Sequence, residues 1–233
     1  MAAVLAVVGL TVVIVGAFVL KQATNAPAEL GATTAPTQAT APTHAPTASR
    51  KTASDRFWDK FGIDGDMPSP TSLEGVLTSA DAVVLGMVVD VRPGLVVGDE
   101  DYPDDPLESG YNANLVVEAQ DRLSGPVKAG DLLVVEIFLG TGHPFTPDLA
   151  EGIPEDSSVF VLRDKATFME QMGNPEEVVE AARGLYWFMP GAVFRDIGGI
   201  VHVVRGTTRP HITEQDGRPF DEFVAVVRAL LGS

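Results

Sequence analysis

Residues 82–91 read AVVLGMVVDV, a valine-rich run with one internal glycine, Gly86. β-Branched side chains favour extended strands, and a glycine inside a strand is typical of the bulges and bends that barrel strands contain. Similar runs follow at residues 114–123, 132–139 and 159–162, and the turn sequence SGPVKAGD joins the first two of these. The sequence therefore predicts a mainly β domain built from barrel-like strands.

Three predicted helices flank the strands, which indicates an α+β class. The first opens at the capping-box sequence TSLE of residues 71–74. The second opens at Asn174 and Pro175 and stops before Gly184. The third runs from Pro219 onward, where apolar residues recur at helical spacing and form a stripe that packs on the sheet.

Side chains alternate between the two faces of a strand, so each strand offers one face to the barrel interior. We expect the interior to be lined by one set of aliphatic residues, which are Val83, Leu85, Val116, Val134 and Val161. This expectation sets the register of every strand with respect to the core.

Short strands are also predicted at residues 186–189, 192–196 and 200–204. The first of them contains three consecutive aromatic residues, Tyr186-Trp187-Phe188, whose rings must point alternately to opposite sides. Two interpretations follow. Either one ring lies outward on a ligand-binding face, or the first and third rings lie in the core while a helix covers the second.

The chain begins with an apolar run that has no charged side chain over residues 2–20. Twenty helical residues at about 1.5 Å each cover the roughly 30 Å hydrocarbon core of a bilayer. We therefore expect one transmembrane helix over residues 1–21, which would be the contact of this protein with the membrane. A cleaved signal peptide is the alternative, although no basic residue precedes the run and residues 26–28 match a cleavage site poorly.

Residues 22–54 are rich in threonine, proline and alanine, and they contain few large apolar side chains. Such a segment buries too little surface to fold, so it predicts a disordered linker before a globular domain at residues 55–233. The composition is typical of exported stalks and favours an extracytoplasmic domain at the cell membrane. Lys21 favours the opposite orientation, because positive residues flank the cytoplasmic side of a span.

The whole chain carries a net charge of −16 and contains no cysteine. The negative charge repels phosphate backbones, so we expect no nucleic-acid partner. The lack of cysteine excludes disulfides, thiol catalysis and cysteine-ligated metal sites. A protein partner is compatible with these properties, and the sequence leaves the oligomeric state open.

Residues 55–233 contain no recognisable catalytic or cofactor motif. The G-x-S-x-G sequence of hydrolases does not occur, and His143, His202 and His211 have no second ligand at the spacing of H-E-x-x-H. We therefore expect no catalytic residue, no bound cofactor and no metal site of this kind. A hydrolase or a metal-dependent enzyme with an unrecognised site is the alternative.

The acidic segment DEDYPDDPLE, residues 99–108, places six carboxylates between two predicted strands. Its oxygen-rich composition suits Ca²⁺, although the ligand spacing of an EF-hand loop does not occur. Three interpretations follow: a solvated loop, a docking surface for a basic partner, and a calcium site. The candidate ligand or docking residues are Asp99, Asp101, Asp104 and Asp105.

The order of several short motifs resembles a group of uncharacterised exported bacterial domains. The motifs are SADAVVLG at residues 79–86, RLSGPVKAGD at 122–131, VFVL at 159–162 and GGIV at 198–201. The resemblance covers about residues 72–204 and implies a barrel similar to the OB-like barrel of netrin and tissue-inhibitor modules. This chain departs from the netrin pattern because it has no cysteine, which argues against an inhibitor role, and the resemblance implies no catalytic residue.

Together these features predict an OB-like β-barrel with flanking helices, held outside a cell by a transmembrane helix and a disordered linker. We expect such a protein to be a binding or envelope-associated module rather than an enzyme. Its ligand is not evident from the sequence.

Overall fold

A six-stranded sheet forms the centre of the structure, a computed structural model that describes residues 51–62, 70–98, 109–204 and 209–232. Its strands are β1 (Ala82–Val97), β2 (Gly110–Ser124), β3 (Leu132–Thr141), β4 (Ser158–Asp164), β5 (Leu185–Ile197) and β6 (Ile200–Val203). All of the described residues belong to one contact unit, Lys51–Ser233.

Five of these strands close into a barrel. The order along the sheet is β3-β2-β1-β4-β5-β6, and neighbouring strands are antiparallel. β3 and β5 also pair in parallel, Val134 with Leu185 and Val135 with Tyr186. This pairing joins β3 to β5, so that β1, β2, β3, β5 and β4 enclose a core and β6 forms an outer hairpin with β5. The predicted β-barrel is confirmed.

Helices surround the barrel within the described ranges. They are α1 (Ala53–Trp58), α2 (Leu73–Thr78), α3 (Lys165–Gln171), α4 (Glu176–Ala181), α5 (Pro210–Thr213) and α6 (Phe220–Leu231), with a 3₁₀ turn at Pro147–Ala150. The predicted helices correspond to α2, α4 and α6, and the first two begin one residue later than predicted, after the N-caps Ser72 and Pro175. The sequence analysis does not predict α1, α3 or α5. Helices of four to seven residues are too short to show helical periodicity, and α2 and α4 are predicted only from their capping sequences.

Alternating side chains divide the strands between an inner and an outer hydrophobic cluster. The inner cluster fills the barrel with residues such as Val84, Leu115 and Phe160. The outer cluster lies between the opposite face of β1, β4 and β5 and the helices α2 and α6. Phe194 of β5 contacts Phe223 of α6 there, with ring centroids 4.6 Å apart. The sheet is thus apolar on both faces where helices cover it.

The expected interior face is wrong by one residue. Val83 and Val161 belong to the outer cluster, and Leu85 packs against that cluster while half-buried. The inner cluster contains the chain neighbours of Val116 and Val134, which are Leu115, Val117, Leu133 and Val135. Val116 and Val134 themselves therefore point to the opposite face. Because helices cover the outer face of β1 and β4, both faces carry aliphatic residues and the alternation of hydrophobicity does not identify the interior.

The bulge predicted at Gly86 coincides with a shift in the pairing of β1 with β2, between Leu85 and Gly86. A side chain at this position would place its Cβ 2.5 Å from the carbonyl oxygen of Glu118. Glycine is therefore required at this close approach of the two backbones.

Helix α1 contributes aromatic side chains to the barrel core. Phe57 and Trp58 of α1, and Phe61 just after it, belong to the inner cluster, and the ring of Trp58 lies 6.3 Å from that of Phe160. Thr52 caps the helix in a capping box with Asp55. The expected start of the globular domain, residue 55, thus falls inside a helix that packs on the core.

No helix within the described ranges is long and apolar enough to cross a bilayer. The predicted anchor, residues 1–21, lies outside these ranges, as does the predicted linker up to residue 50. The transmembrane helix and the linker therefore stay predictions.

The division into two clusters can be tested with a pair of leucines. Leu115→Ala removes a fully buried side chain from the inner cluster, so the free energy of unfolding should fall by about 2 to 5 kcal/mol. Leu132→Ala makes the same change on β3 at a side chain that is 61% exposed, and the loss should be below about 0.5 kcal/mol. Urea unfolding measures both losses, and similar losses would contradict the assigned faces.

Candidate functional site

A cleft of about 520 Å³ opens on the outer face of the barrel, beside α3. This volume lies within the range of roughly 300 to 1,000 Å³ that is usual for ligand sites. The cleft is lined by the ends of β1 and β2 and by parts of β3, α3 and β5, through Val97, Gly98, Gly110, Asn112, Glu136, Phe138, Lys165, Met169 and Trp187.

The position of the cleft follows from the closure of the barrel. β3 and β5 pair at only two positions, which end at Val135 and Tyr186. The next residues of the two strands, Glu136 and Trp187, both line the cleft. The cleft therefore begins where β3 and β5 cease to pair.

A buried ion pair lies at the base of the cleft. The ammonium group of Lys165 donates to Oε1 of Glu136, and the residues are 8% and 4% exposed. Lys165 is the first residue of α3, whose N-cap Asp164 accepts a hydrogen bond from the Thr167 amide. The short helix thus holds the lysine against β3.

The second carboxylate oxygen of Glu136, Oε2, is buried and has no hydrogen-bond partner among the described residues. An ionised oxygen in such a place loses its hydration without a compensating donor, which costs several kcal/mol in general. A cationic donor that reached this oxygen would form a charge-assisted hydrogen bond. The pair is therefore an incomplete polar site rather than a saturated one.

Aromatic side chains form the walls of the cleft. Trp187 packs on Phe168 of α3, with ring centroids 5.4 Å apart, and the Lys165 ammonium lies 5.2 Å from the Trp187 ring centroid. Phe138 is 58% exposed, which is unusual for a phenylalanine on a sheet. Aromatic faces of this kind attract apolar groups and cations alike.

Of the two interpretations of Tyr186-Trp187-Phe188, the helix-covered arrangement is confirmed. Phe188 belongs to the barrel core, Tyr186 packs against that core, and Trp187 contacts α3. Trp187 also stays half-buried and lines the cleft, so the covered ring still offers a surface to a ligand.

The acidic segment of residues 99–108 lies outside the described residues, and with it the candidates Asp99, Asp101, Asp104 and Asp105. The described chain on either side of it, Gly98 and Gly110, lines the cleft. Inside the cleft, Asn112 is held by a 2.9 Å hydrogen bond from its amide nitrogen to the carbonyl oxygen of Leu95.

The three candidate histidines lie on separate elements: His143 follows β3, His202 lies in β6 and His211 in α5. Within the described ranges, no group of three or more histidine or carboxylate side chains could hold a metal ion. Burial lowers the pKa of His211, and the nearby Arg209 acts in the same direction.

A second buried polar network joins α1 to β5. Arg195 is buried and donates to Ser54 Oγ and to Asp55 Oδ1, both at 2.9 Å. Burial alone would raise the pKa of Asp55, but hydrogen bonds from the Thr52 amide and from Arg195 outweigh it and lower the pKa to about 2. Burial raises the pKa of Asp156, which accepts from Ser54. This network holds α1 in place, although the Nε atom of Arg195 has no hydrogen-bond partner among the described residues.

Sequence reasoning does not find Glu136 or Lys165. Glu136 is the only charged residue of β3, which reads LLVVEIFLGT, and a charge inside an apolar strand is a signal that was available. Lys165 carries a weaker signal, because only the N-cap residue Asp164 marks the start of α3. The two residues are 29 positions apart and meet only in the folded barrel.

Comparisons with known proteins give no identity for this chain. No protein-family model matches it, and no curated protein matches it.

The low pKa of Asp55 predicts a pH-dependent contribution to stability. A folded-state pKa of about 2, against a usual 3.8, stabilises the fold by about 2 kcal/mol above pH 4, and this contribution is lost as the pH falls from about 4 to about 2. Asp55→Asn should therefore lower the free energy of unfolding at pH 7 by about that amount, and the difference should vanish near pH 2.

Asp59→Asn provides the matched control, because Asp59 pairs with Lys51 at the surface, where ion pairs contribute less than about 1 kcal/mol. Denaturant unfolding at a series of pH values measures both differences. A loss for Asp55→Asn that is the same at pH 2 and pH 7 would contradict the role of Arg195 in holding the carboxylate ionised.

Proposed function

We propose that this protein is a membrane-anchored, extracytoplasmic binding module that takes its ligand in the cleft formed by Glu136, Phe138, Lys165 and Trp187. The observation that carries the proposal is the buried Glu136 carboxylate, whose second oxygen has no partner among the described residues. A stable fold does not need a charge at this place, since apolar residues of similar volume would serve as well. A role in recognition explains its presence.

The strand order supports an OB-like assignment of the barrel. OB-folds are five-stranded, partly open barrels that bind ligands on the face formed by their second and third strands. In this protein, the five-stranded barrel closes through only two residue pairs between β3 and β5. β2 and β3 both contribute to the cleft. The placement of the cleft agrees with a binding role of such a barrel.

The sequence before the barrel supports the cellular placement. Residues 1–21 have the length and composition of a transmembrane helix, and the threonine- and proline-rich residues after them are typical of exported stalks. Helix α1 follows within a few residues, capped by Thr52 and packed on the barrel core. A binding domain would in this way be tethered to the outer surface of the membrane.

Photo-crosslinking in cells tests whether the cleft is a binding site. Replacing Phe138 of the full-length chain by p-benzoylphenylalanine puts a reactive aromatic group at an exposed position in the cleft with little change of shape. The same replacement at Leu132 is the control, since that side chain is exposed on the same strand but does not line the cleft. Irradiation should give discrete adducts from position 138 and none from position 132.

Adducts of equal yield at both positions would indicate random encounters, and the absence of adducts from position 138 would leave the cleft without an occupant. Either result would contradict the proposed binding function.

Membrane fractionation and protease treatment test the cellular placement. The full-length chain should stay in the membrane pellet after carbonate extraction, and protease added to intact cells should release the barrel by cutting within residues 22–50. Recovery of a soluble mature form that begins near Glu29 would contradict the anchor, and protection of the domain in intact cells would contradict the orientation.

A further inference from the structure

We infer that the ligand of the cleft is an extended, positively charged peptide segment that pairs as an added strand with the open edge of β3. This inference rests on the proposed binding function, and it adds the class of ligand and the way in which it is held.

Over more than half of its length, one edge of β3 pairs with no strand of the described chain. β2 pairs with β3 from Leu132 to Thr141, whereas β5 pairs with it only at Val134 and Val135. From Glu136 to Thr141, no described residue pairs with the edge that faces away from β2. These six residues span roughly 20 Å at about 3.3 Å each, which is enough to pair with a short peptide strand. Open edges of this kind accept extended peptides through backbone hydrogen bonds.

The side chains beside this edge select a cation. Glu136 and Phe138 are two residues apart on β3, so both point to the outer face, where the cleft lies. Glu136 has an oxygen that accepts from no described residue, because Lys165 binds only Oε1. The exposed Phe138 ring and the Trp187 ring offer faces to a guanidinium or ammonium group.

The spacing of these groups matches an extended peptide. In such a peptide, every second side chain points to the same side, so basic residues at alternate positions can reach Glu136 and Phe138 together. The net charge of −16 on the chain attracts a basic segment and raises its rate of association at low salt.

The same charge disfavours the other obvious occupant, a second copy of this chain. Pairing two β3 edges would bring two strongly acidic chains together and would leave the Glu136 oxygen without a cation. The observations thus favour a basic peptide over self-association.

A labelled hexapeptide of alternating arginine and valine is a suitable probe. It is added to the full-length chain in a mild detergent, and fluorescence anisotropy gives the dissociation constant. The peptide should bind with a dissociation constant that rises steeply with salt, and a peptide with glutamate in place of arginine should not bind. An arginine–valine peptide methylated on every second backbone nitrogen, which blocks the ladder of hydrogen bonds, should bind at least about tenfold more weakly.

Glu136→Gln tests the carboxylate itself, and it should weaken binding of the arginine–valine peptide by about tenfold or more. Glu118→Gln removes the same charge from an exposed position on β2 outside the cleft, and it should change binding less than about twofold. The comparisons between peptides use the unchanged protein. They therefore test strand addition and the positive charge of the ligand even if a thermal melt shows that Glu136→Gln is unstable.

Equal binding of the methylated and unmethylated peptides would overturn strand addition. Equal binding of the arginine and glutamate peptides, or no binding of either, would overturn the cationic ligand. Sedimentation that shows a dimer from which the peptide is excluded would assign the edge to a second copy of the chain. The crosslinks from position 138 in cells do not depend on ligand chemistry, so they separate a failure of this inference from a failure of the binding function.

Discussion

The parallel pairing of β3 with β5 is the constraint on which the other features of this protein depend. Two residue pairs, Val134 with Leu185 and Val135 with Tyr186, complete the barrel and enclose its hydrophobic core. Because the pairing ends there, the rest of β3 keeps an edge that no described residue occupies, and the strands diverge around the cleft. The contact that closes the barrel thus also determines where the cleft lies.

The two buried ionic networks have different consequences. Arg195 binds both Ser54 and Asp55, so its contacts join α1 to β5, while its Nε has no hydrogen-bond partner among the described residues. The Glu136–Lys165 pair is equally buried, and one of its carboxylate oxygens has no donor among the described residues. Each network thus contains one buried polar atom without a partner in the described chain, but Glu136 and Lys165 line the cleft whereas Arg195 and Asp55 do not. That difference is why we assign the first network to stability and the second to recognition.

Sequence reasoning finds the strands because local signals mark them. The valines around Gly86 predict β1, and the stripe from Phe220 to Leu231 predicts α6. The inner face of the barrel is not predictable in the same way, because helices on the outside make both faces of β1 and β4 apolar. The candidate site is harder still, since Glu136 and Lys165 meet only through the closure of the barrel and a helix of seven residues.

Hydrogen exchange of the backbone amides in the ligand-free protein tests the short closure most directly. Amides of β2 should be protected along the length that lies between β1 and β3, since both neighbours pair with it. In β3, every second amide from Glu136 to Thr141 should exchange rapidly, because alternate amides of an antiparallel strand point away from their partner. Uniform protection of β3 through Thr141 would show that its second edge is covered, and it would contradict both the short closure and the open edge.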